Sequence, residues 1–357
     1  MPIVRALIFV SGVALAAGTL LSAMHTFVLP RNVQDRLTRV VFLVMWQFFR
    51  LRLRAERNYD RRDQIMALYA PLSLLSLPPV WLALVLLGYT GIYWALGAPS
   101  WYDAFRLSGS SLLTLGFAGA DGLHLLIVAF SEATLGLILV ALLIAYLPTM
   151  YTAFSRRETA VTLLDVRAGT PPSAVEMLKR YQRLHGLDRL SDVWEQWEVW
   201  FAEVEETHTS LAPLAFFRSP QPPRSWVTAS GAVLDAASLT LSTVDIPFEP
   251  RAALCIRAGY LALRHVATFF QIPYKPDATR DDPISVTREE YDAACDELAA
   301  EGVPLQADRE QAWLDFKGWR VNYDVVLLAL AALTLAPSAP WSGDRPYWPN
   351  RPWLRGE

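Results

Sequence analysis

The chain has 357 residues, of which 53% are hydrophobic and 19% charged, and its net charge at pH 7 is −3. Its mean hydropathy of +0.24 is too high for an ordinary soluble domain, so part of the chain is expected to lie in a membrane. The moderate charge gives no support for a nucleic-acid binder, which needs a concentrated positive face. Only Cys255 and Cys295 are present, without a CxxC motif, so neither a disulfide framework nor a thiolate metal site is indicated.

The charge is divided unevenly along the chain. Residues 1–154 hold 11 Arg and 7 acids, a net charge of +4, whereas residues 155–357 hold 21 Lys and Arg and 28 acids, a net charge of −7. This asymmetry predicts that the two parts of the chain lie in different environments.

The first of three predicted membrane spans is residues 6–24. These 19 residues carry no charge, and a helix of that length crosses a hydrocarbon core of about 30 Å. A cleaved signal peptide is the alternative. The length of the apolar run and the lack of a small-residue cleavage site favour a retained helix.

The second predicted span lies within residues 65–102, which are 38 residues without a charge. Pro71, Pro78 and Pro79 interrupt this run, so we expect a short helix along the inner interface before Pro78 and a span near 79–97. The third span is 125–154, which carries one acid, Glu132, and ends at a basic Arg156–Arg157 pair.

The segment that joins the first two spans predicts the orientation. Residues 31–63 carry nine arginines, Arg31 and Arg57 among them, and the positive-inside rule places such a segment on the cytoplasmic side. Within it, Val40–Phe49 is too short to span and is predicted to lie on the inner membrane surface as a helix. The N-terminus is then outside and the C-terminal part is cytoplasmic.

Residues 101–121 (WYDAFRLSGSSLLTLGFAGAD) separate the second and third spans and are unusually apolar for an extracellular loop. Residues 102–113 are predicted to form one short helix, and residues 114–119 (TLGFAG) suit extended or left-handed backbone. Irregular backbone at membrane depth is tolerated only where it is buried in protein or lines water. The pattern therefore favours a re-entrant pore loop.

This order of span, short helix, TLGFAG and span resembles the pore module of the potassium-channel superfamily. In that family, backbone carbonyl oxygens and a threonine hydroxyl replace the hydration shell of the permeant ion. The resemblance implies a homotetramer that needs no cofactor and conducts a monovalent cation, with potassium as the first expectation. The filter residues that it implies are Thr114, Leu115, Gly116, Phe117 and Ala118.

The motif departs from the family pattern at two positions. Ala118 replaces a glycine that often needs a positive φ, which costs other residues about 1–2 kcal/mol. The acid that usually follows the filter is displaced to Asp121. Both departures favour relaxed selectivity.

Asp121 and Glu132 are the predicted acids of the pore mouth. An acid inside a membrane run is a functional candidate by default, and Glu132 would concentrate cations or brace the filter. The alternative for Glu132 is an interfacial charge near a helix N-terminus. In the inner helix, Gly136 and Pro148 occupy positions where the resemblance implies a gating hinge and a kink, although packing in the membrane explains both residues as well.

The C-terminal part predicts helices and almost no strands. Residues 192–206 place four large side chains, Trp194, Trp197, Phe201 and Val204, on one helical face. Thr287 and Glu290 have the spacing of a capping box that opens a helix ending at Gly302. Further helices are predicted over 226–243, 250–270 and 308–335, with 325–337 as a buried core helix.

The acids near His208 have two interpretations. Glu203, Glu205, Glu206 and His208 could form a divalent-cation sensor, but a solvated helix face explains the same spacing. No nucleotide-binding or catalytic motif is evident, so an enzyme is not indicated.

The predicted fold is an all-α membrane protein with three transmembrane helices and a re-entrant pore loop, followed by an all-α cytoplasmic domain. The predicted divisions are 1–30 (first span), 31–64 (basic linker), 65–155 (pore module), 156–336 (cytoplasmic domain) and 337–357 (Pro/Trp-rich tail). The leading functional hypothesis is a cation channel of the plasma membrane, gated by a ligand or partner of the cytoplasmic domain. The alternative is a membrane-anchored sensor or scaffold with a degenerate, non-conducting pore fold.

Overall fold

The computed structural model describes residues 2–27, 35–54, 56 and 58–345. These residues form thirteen α-helices and no strand, with a single β-bridge between Val244 and Leu305, which confirms the all-α prediction for the described part of the chain. Arg31, Arg57 and residues 346–357 of the predicted tail lie outside the described residues. The chain divides into a first unit, Met1–Thr152, and a second unit, Ala153–Glu357.

The first unit contains three helices, or continuous helical segments, that are long and apolar enough to cross a membrane. They are α1, then α3 with α4 taken together, and α6, which confirms the expected number of candidate spans. The bounds are α1 Pro2–Phe27, α2 Arg36–Arg54, α3 Tyr59–Ala67, α4 Tyr69–Ala95, α5 Trp101–Leu112 and α6 Leu123–Ala168, of which α6 continues into the second unit.

Small residues let α1 and α4 approach closely. A Cβ added at Gly12 would overlap the carbonyl oxygen of Gly88, so glycine on both helices permits backbone contact. Nearer the other end of α1, the Trp81 indole N–H donates to the Ser22 hydroxyl over 3.2 Å, and the Trp81 side chain is fully buried. Close packing and a shared hydrogen bond thus hold two of the candidate spans together.

The predicted break in the second span is wrong. The helix α4 runs through Pro71, Pro78 and Pro79 without interruption, so the separate helix before Pro78 does not form. Pro71 lies in the first turn of α4, where backbone N–H groups have no acceptor within the helix, so a proline there costs no helical hydrogen bond. Pro78 is buried among neighbouring side chains, and such packing compensates for lost backbone hydrogen bonds in membrane helices.

The predicted surface helix is longer than ten residues. The helix α2 has 19 residues, because the arginines that flank the apolar run are good helix formers and extend it at both ends. Val41, Phe49 and Leu53 are buried on one side. The large apolar side chains exposed elsewhere on α2 are Val40, Leu43, Val44, Phe48 and Leu51.

The inner helix does not end at residue 154. The helix α6 continues for 46 residues, through Gly136 and Pro148, to Ala168, because no glycine with a positive φ stops it before Gly169 (φ 81°). Arg157 is therefore not a basic stop exposed at a membrane surface. Its guanidinium is buried and donates to the carbonyl oxygens of Leu214 (2.8 Å) and Phe217 (2.6 Å).

The second unit has one large helical core. The amphipathic face predicted for 192–206 is confirmed, since Trp194, Trp197, Phe201 and Val204 are all buried. The capping box of Thr287 and Glu290 is confirmed in both of its hydrogen bonds. The bounds are α7 Ala174–Arg183, α8 Leu190–Ser210, α9 Trp226–Ser242, α10 Pro250–Phe269, α11 Arg288–Ala300, α12 Arg309–Arg320 and α13 Asp324–Thr334.

Two predictions for the end of the chain need correction. The helix expected over 308–335 is divided into α12 and α13 by a turn at residues 321–323. In this turn the Tyr323 hydroxyl donates to the Asp235 carboxylate at 2.8 Å. The first part of the predicted extended tail is packed: Ala339, Trp341 and Ser342 are buried. The prediction that 325–337 forms a buried core helix is confirmed over Asp324–Thr334.

The acids around His208 do not converge on a common site. The His208 ring is buried, with Nδ1 3.0 Å from the carbonyl oxygen of Val204 and Nε2 3.2 Å from the Arg157 guanidinium. Because the carbonyl only accepts and Arg157 only donates, His208 is neutral with its proton on Nδ1. Glu205 instead pairs with the exposed His265 at 2.7 Å.

We expect His208 to make the second unit sensitive to acid. Burial, and then the charge of Arg157, hold the pKa of His208 well below its usual value. Below about pH 6.5, His208 is protonated in the unfolded chain but stays neutral in the folded chain. The free energy of unfolding should therefore fall by about 1.4 kcal/mol for each pH unit of acidification. His208→Gln should flatten this part of the stability profile, measured as melting temperature between about pH 7.5 and pH 5.5.

The exposed His265 provides the matched control. His265→Gln removes a ring that is about half exposed, so the acid-dependent loss of stability should persist in this variant. An unchanged profile in His208→Gln would show that another group causes the acid sensitivity.

Candidate functional site

A short helix followed by an irregular loop lies between α4 and α6. The Ser100 hydroxyl caps α5 by accepting from the Asp103 N–H at 3.1 Å, and α5 ends at Leu112. The helix predicted over 102–113 is therefore confirmed to within one residue at each end. Residues 115–117, 119 and 120 that follow have no regular secondary structure.

The loop is folded back onto the last turn of α5. The Leu115 N–H donates to the Ser110 carbonyl oxygen at 2.9 Å, and the Thr114 N–H donates to that of Ser111 at 3.1 Å. The Ser110 hydroxyl also accepts from the Ala118 N–H at 3.0 Å. The Gly116 N–H donates to the Ser110 carbonyl oxygen as well, at 3.4 Å, so four donors of the TLGFAG segment are anchored to two successive serines of the short helix.

The left-handed positions of the loop are Thr114 (φ 54°) and Gly116 (φ 72°). Ala118 is not among the residues with positive φ, so the backbone strain expected at this position is absent. The backbone strain lies at Thr114 instead, because a positive φ costs a residue with a Cβ about 1–2 kcal/mol. The Ala118 N–H donates to the Ser110 hydroxyl at 3.0 Å in this conformation.

The predicted filter residues lie together on the surface of the described chain. Leu115 is 61% exposed and Phe117 57% exposed, and both are apolar. Thr114, Gly116 and Asp121 are exposed as well. An exposed apolar loop of this kind requires a partner, a lipid or a second copy of the chain to cover it.

Glu132 is fully buried in the single chain. Its carboxylate accepts from the Ser108 hydroxyl of α5 at 2.5 Å and from the Tyr93 hydroxyl of α4 at 2.9 Å. Of the two roles predicted for Glu132, this geometry supports bracing, and it separates Glu132 from Asp121. It also argues against the interfacial charge, because the carboxylate is enclosed by three helices.

Ser108 and Tyr93 are the residues of this site that the sequence did not reveal. Neither residue is part of a motif that the sequence analysis singles out. The available signal was Glu132 itself, since a buried acid in an apolar run requires polar partners. Which hydroxyls supply them depends on how α4 and α5 pack against α6.

Gly136 is a point of close contact between α6 and the end of α5. A Cβ added at Gly136 would overlap the carbonyl oxygen of Leu112. This residue lies one turn beyond Glu132, so both positions hold the short helix against α6. Pro148 lies farther along α6, exposed and within an uninterrupted helix.

We expect Glu132→Ala to loosen the short helix. The change removes the acceptor of the buried Tyr93 hydroxyl, whereas the Ser108 hydroxyl keeps the carbonyl oxygen of Leu86 at 3.1 Å. Loss of this acceptor costs about 1–3 kcal/mol of unfolding free energy. Glu132→Gln keeps one carbonyl acceptor and should lose less. Thermal unfolding of the full-length protein in detergent measures both, and equal losses would show that the hydrogen bonds of Glu132 do not stabilise the fold.

In comparisons with protein-family models, with curated proteins and with solved structures, nothing matches this chain.

Proposed function

We propose that the protein is a pore-loop cation channel, in which four copies of residues 114–118 form a potassium-channel-like filter with relaxed selectivity. The observation that carries this proposal is the anchoring of the TLGFAG loop to α5, together with the bracing of α5 by Glu132. A short helix that fixes an irregular loop between two apolar helices is the arrangement that an ion filter requires.

The hydrogen bonding of the loop supports an ion-facing role for its carbonyl oxygens. The N–H groups of Leu115 and Ala118 are used to attach the loop to α5. Within the described residues, the carbonyl oxygens of Leu115, Gly116 and Phe117 accept no hydrogen bond. Carbonyl oxygens without partners at membrane depth are stabilised by water or by a dehydrated cation.

The exposed side chains of α6 support assembly with further copies. Large apolar residues are exposed around this helix in the single chain: Ile127, Phe130, Leu137, Ile144 and Tyr151. Lipid and neighbouring copies would cover these side chains in a membrane. Since each chain supplies one loop, a closed ring of copies is needed to surround an ion, and the resemblance sets the number at four.

The charge asymmetry supports an orientation for the proposed channel. The arginines of 31–63 favour the cytoplasmic side of the plasma membrane, and the acidic second unit follows α6 into the cytoplasm. A ligand or partner of the second unit would gate the pore by binding its open and closed states differently. The bilayer and the other copies of the chain are then its obligatory partners.

The direct test is to reconstitute the purified protein in a planar bilayer and to exchange potassium, sodium and chloride on one side. Cation current with a shift in reversal potential would support the proposal and rank the permeant ions. Chloride current would contradict it. A tetramer verified by mass that carries no current with any of these ions would favour the non-conducting scaffold.

Two glycines of the loop provide a matched pair for the filter. Space is open around both Gly116 and Gly119, but only Gly116 has a positive φ. Gly116→Ala should therefore remove most of the current through backbone strain, whereas Gly119→Ala should keep it. Current that survives Gly116→Ala unchanged would place the ion path elsewhere.

A further inference from the structure

The helix α2 is the most positively charged helix of the first unit. It carries five arginines and no acid. Over residues 35–63, which include α3, the sequence holds eight arginines and four acids, a net charge of +4. The helices α1 and α4 also pack against α2, and neither contains an acid. Even if every acid of residues 35–63 pairs with an arginine, four positive charges therefore remain.

One face of α2 packs against α4 through Tyr69. The hydroxyl of Tyr69 donates to the Phe42 carbonyl oxygen at 3.3 Å. Its ring lies 5.5–6.1 Å from three aromatic rings of α2, those of Phe42, Trp46 and Phe49. Because these contacts fix the rotation of α2 about its own axis, the opposite face of the helix points away from α4.

Tyr69 also places α2 near one end of the second candidate span. The charged residues 60–63 precede Tyr69 in the same helical segment, and charged side chains are rare in the hydrocarbon core. Asp63 lies six residues before Tyr69, which is about 9 Å along a helix. Helices that lie on a membrane bury their apolar face to a depth of about 5–10 Å. The middle of α2 is therefore close to the boundary between headgroups and acyl chains.

The face of α2 that points away from α4 is apolar along its centre. Val40, Val44 and Leu51 on this face are 54%, 59% and 63% exposed. Their spacings of four and seven residues put the three side chains on one side of a helix. We call these three residues the apolar strip. A strip of this kind on a helix rich in arginine is typical of helices that lie in the membrane interface.

Arginines border the apolar strip on both sides. Arg50 and Arg54 lie about one turn apart along one edge. Arg52 lies on the other edge, where its guanidinium is 5.7 Å from the centre of the Phe48 ring. None of these three arginines forms an ion pair within the described residues, and Nε of Arg50 is buried without a hydrogen-bond partner. Their charges therefore attract an anion from outside the chain.

We propose that α2 binds the headgroups of anionic phospholipids, with the apolar strip against the acyl chains and Arg50, Arg52 and Arg54 at the phosphates. Arginine clusters on amphipathic helices have this preference because anionic lipids supply the missing counter-charge. A zwitterionic headgroup carries its own positive charge and offsets less of the charge of α2. This site does not depend on the proposed pore, because its residues lie outside the TLGFAG loop and α6 and its occupancy is measured by binding.

The test measures the melting temperature of the full-length protein in detergent. The protein is titrated with short-chain phosphatidylglycerol or with phosphatidylcholine of the same chain length. We expect phosphatidylglycerol to raise the melting temperature in a saturable way, and at lower concentrations than phosphatidylcholine. The difference between the two lipids should shrink as salt is raised from about 0.1 M to about 1 M, because salt screens the charges of α2.

Triple variants assign the effect to α2. Replacing Arg50, Arg52 and Arg54 with glutamine should weaken phosphatidylglycerol binding at least about tenfold. Replacing the same three residues with lysine keeps the charge and should keep the lipid preference, which separates loss of charge from misfolding.

The matched control removes three positive charges from the second unit. It replaces with glutamine three exposed arginines that each pair with an acid, Arg183, Arg251 and Arg309. This variant has the same net charge as the glutamine variant of α2, and it should bind phosphatidylglycerol as the wild type does.

Two results would overturn the proposal. One is equal stabilisation by the two lipids, which would show that α2 does not distinguish headgroup charge and would leave a second copy of the chain to cover the apolar strip. The other is an unchanged preference for phosphatidylglycerol in the glutamine variant of α2, which would place the anionic-lipid site elsewhere on the protein.

Discussion

Replacing Arg320 with alanine is expected to lower the free energy of unfolding by about 3–5 kcal/mol, the largest single loss that we predict for this chain. The Arg320 side chain is fully buried and pairs with Asp235, and its Nε donates to Asp324 over 2.8 Å. Without the guanidinium, two buried carboxylates would remain without a counter-charge. Melting temperature of the full-length protein in detergent measures the loss.

An exposed arginine pair provides the control for Arg320. Arg183 pairs with Glu301, but its side chain is 51% exposed, so Arg183→Ala should cost at most about 1 kcal/mol. Similar losses in the two variants would show that the buried network of Arg320 contributes no more than a surface pair.

Replacing Gly136 with alanine is expected to have the second-largest effect, a loss of about 1–3 kcal/mol from overpacking. The upper part of this range is expected, because the atom that a Cβ would meet is the Leu112 backbone oxygen rather than a movable side chain. In a reconstituted bilayer, the same variant should lose current, since Leu112 immediately precedes the TLGFAG loop.

Gly18 in α1 is the matched control, because no atom lies within 4 Å of a Cβ added there. Gly18→Ala should stabilise its helix by up to about 1 kcal/mol, the opposite sign from Gly136→Ala. The contrary result is a Gly136→Ala channel that keeps the wild-type stability but opens at a different concentration of its gating ligand. That result would favour a hinge at Gly136, which the resemblance implies, over the close contact with Leu112.

Hydrophobicity along the chain was sufficient to predict the candidate membrane helices. Two charge-free runs and a third with a single acid predicted three spans, and three helices or helical segments of the required length and composition form. Their ends were less predictable: α4 passes through Pro78 and Pro79, and α6 continues beyond residue 154. Proline and arginine change local preference by a few kcal/mol at most, and packing around a helix can outweigh that amount.

The candidate site, too, could be predicted from the sequence only in part. The small residues of TLGFAG predicted irregular backbone after a short helix, because glycine and alanine leave few side-chain constraints on the loop. The sequence also indicated that Glu132 needs a role inside the protein. It did not indicate Ser108 or Tyr93 as its partners, nor Ser110 as the residue that fixes Ala118.

The sequence by itself determined the helical class, the candidate spans, the buried face of α8 and the cap of α11, because each follows from local pattern and spacing. Only the tertiary structure decided that Glu132 braces α5 and that Arg157 and Arg320 are buried. These features join residues that are distant in the chain. Their geometry depends on how helices pack, which no local pattern encodes.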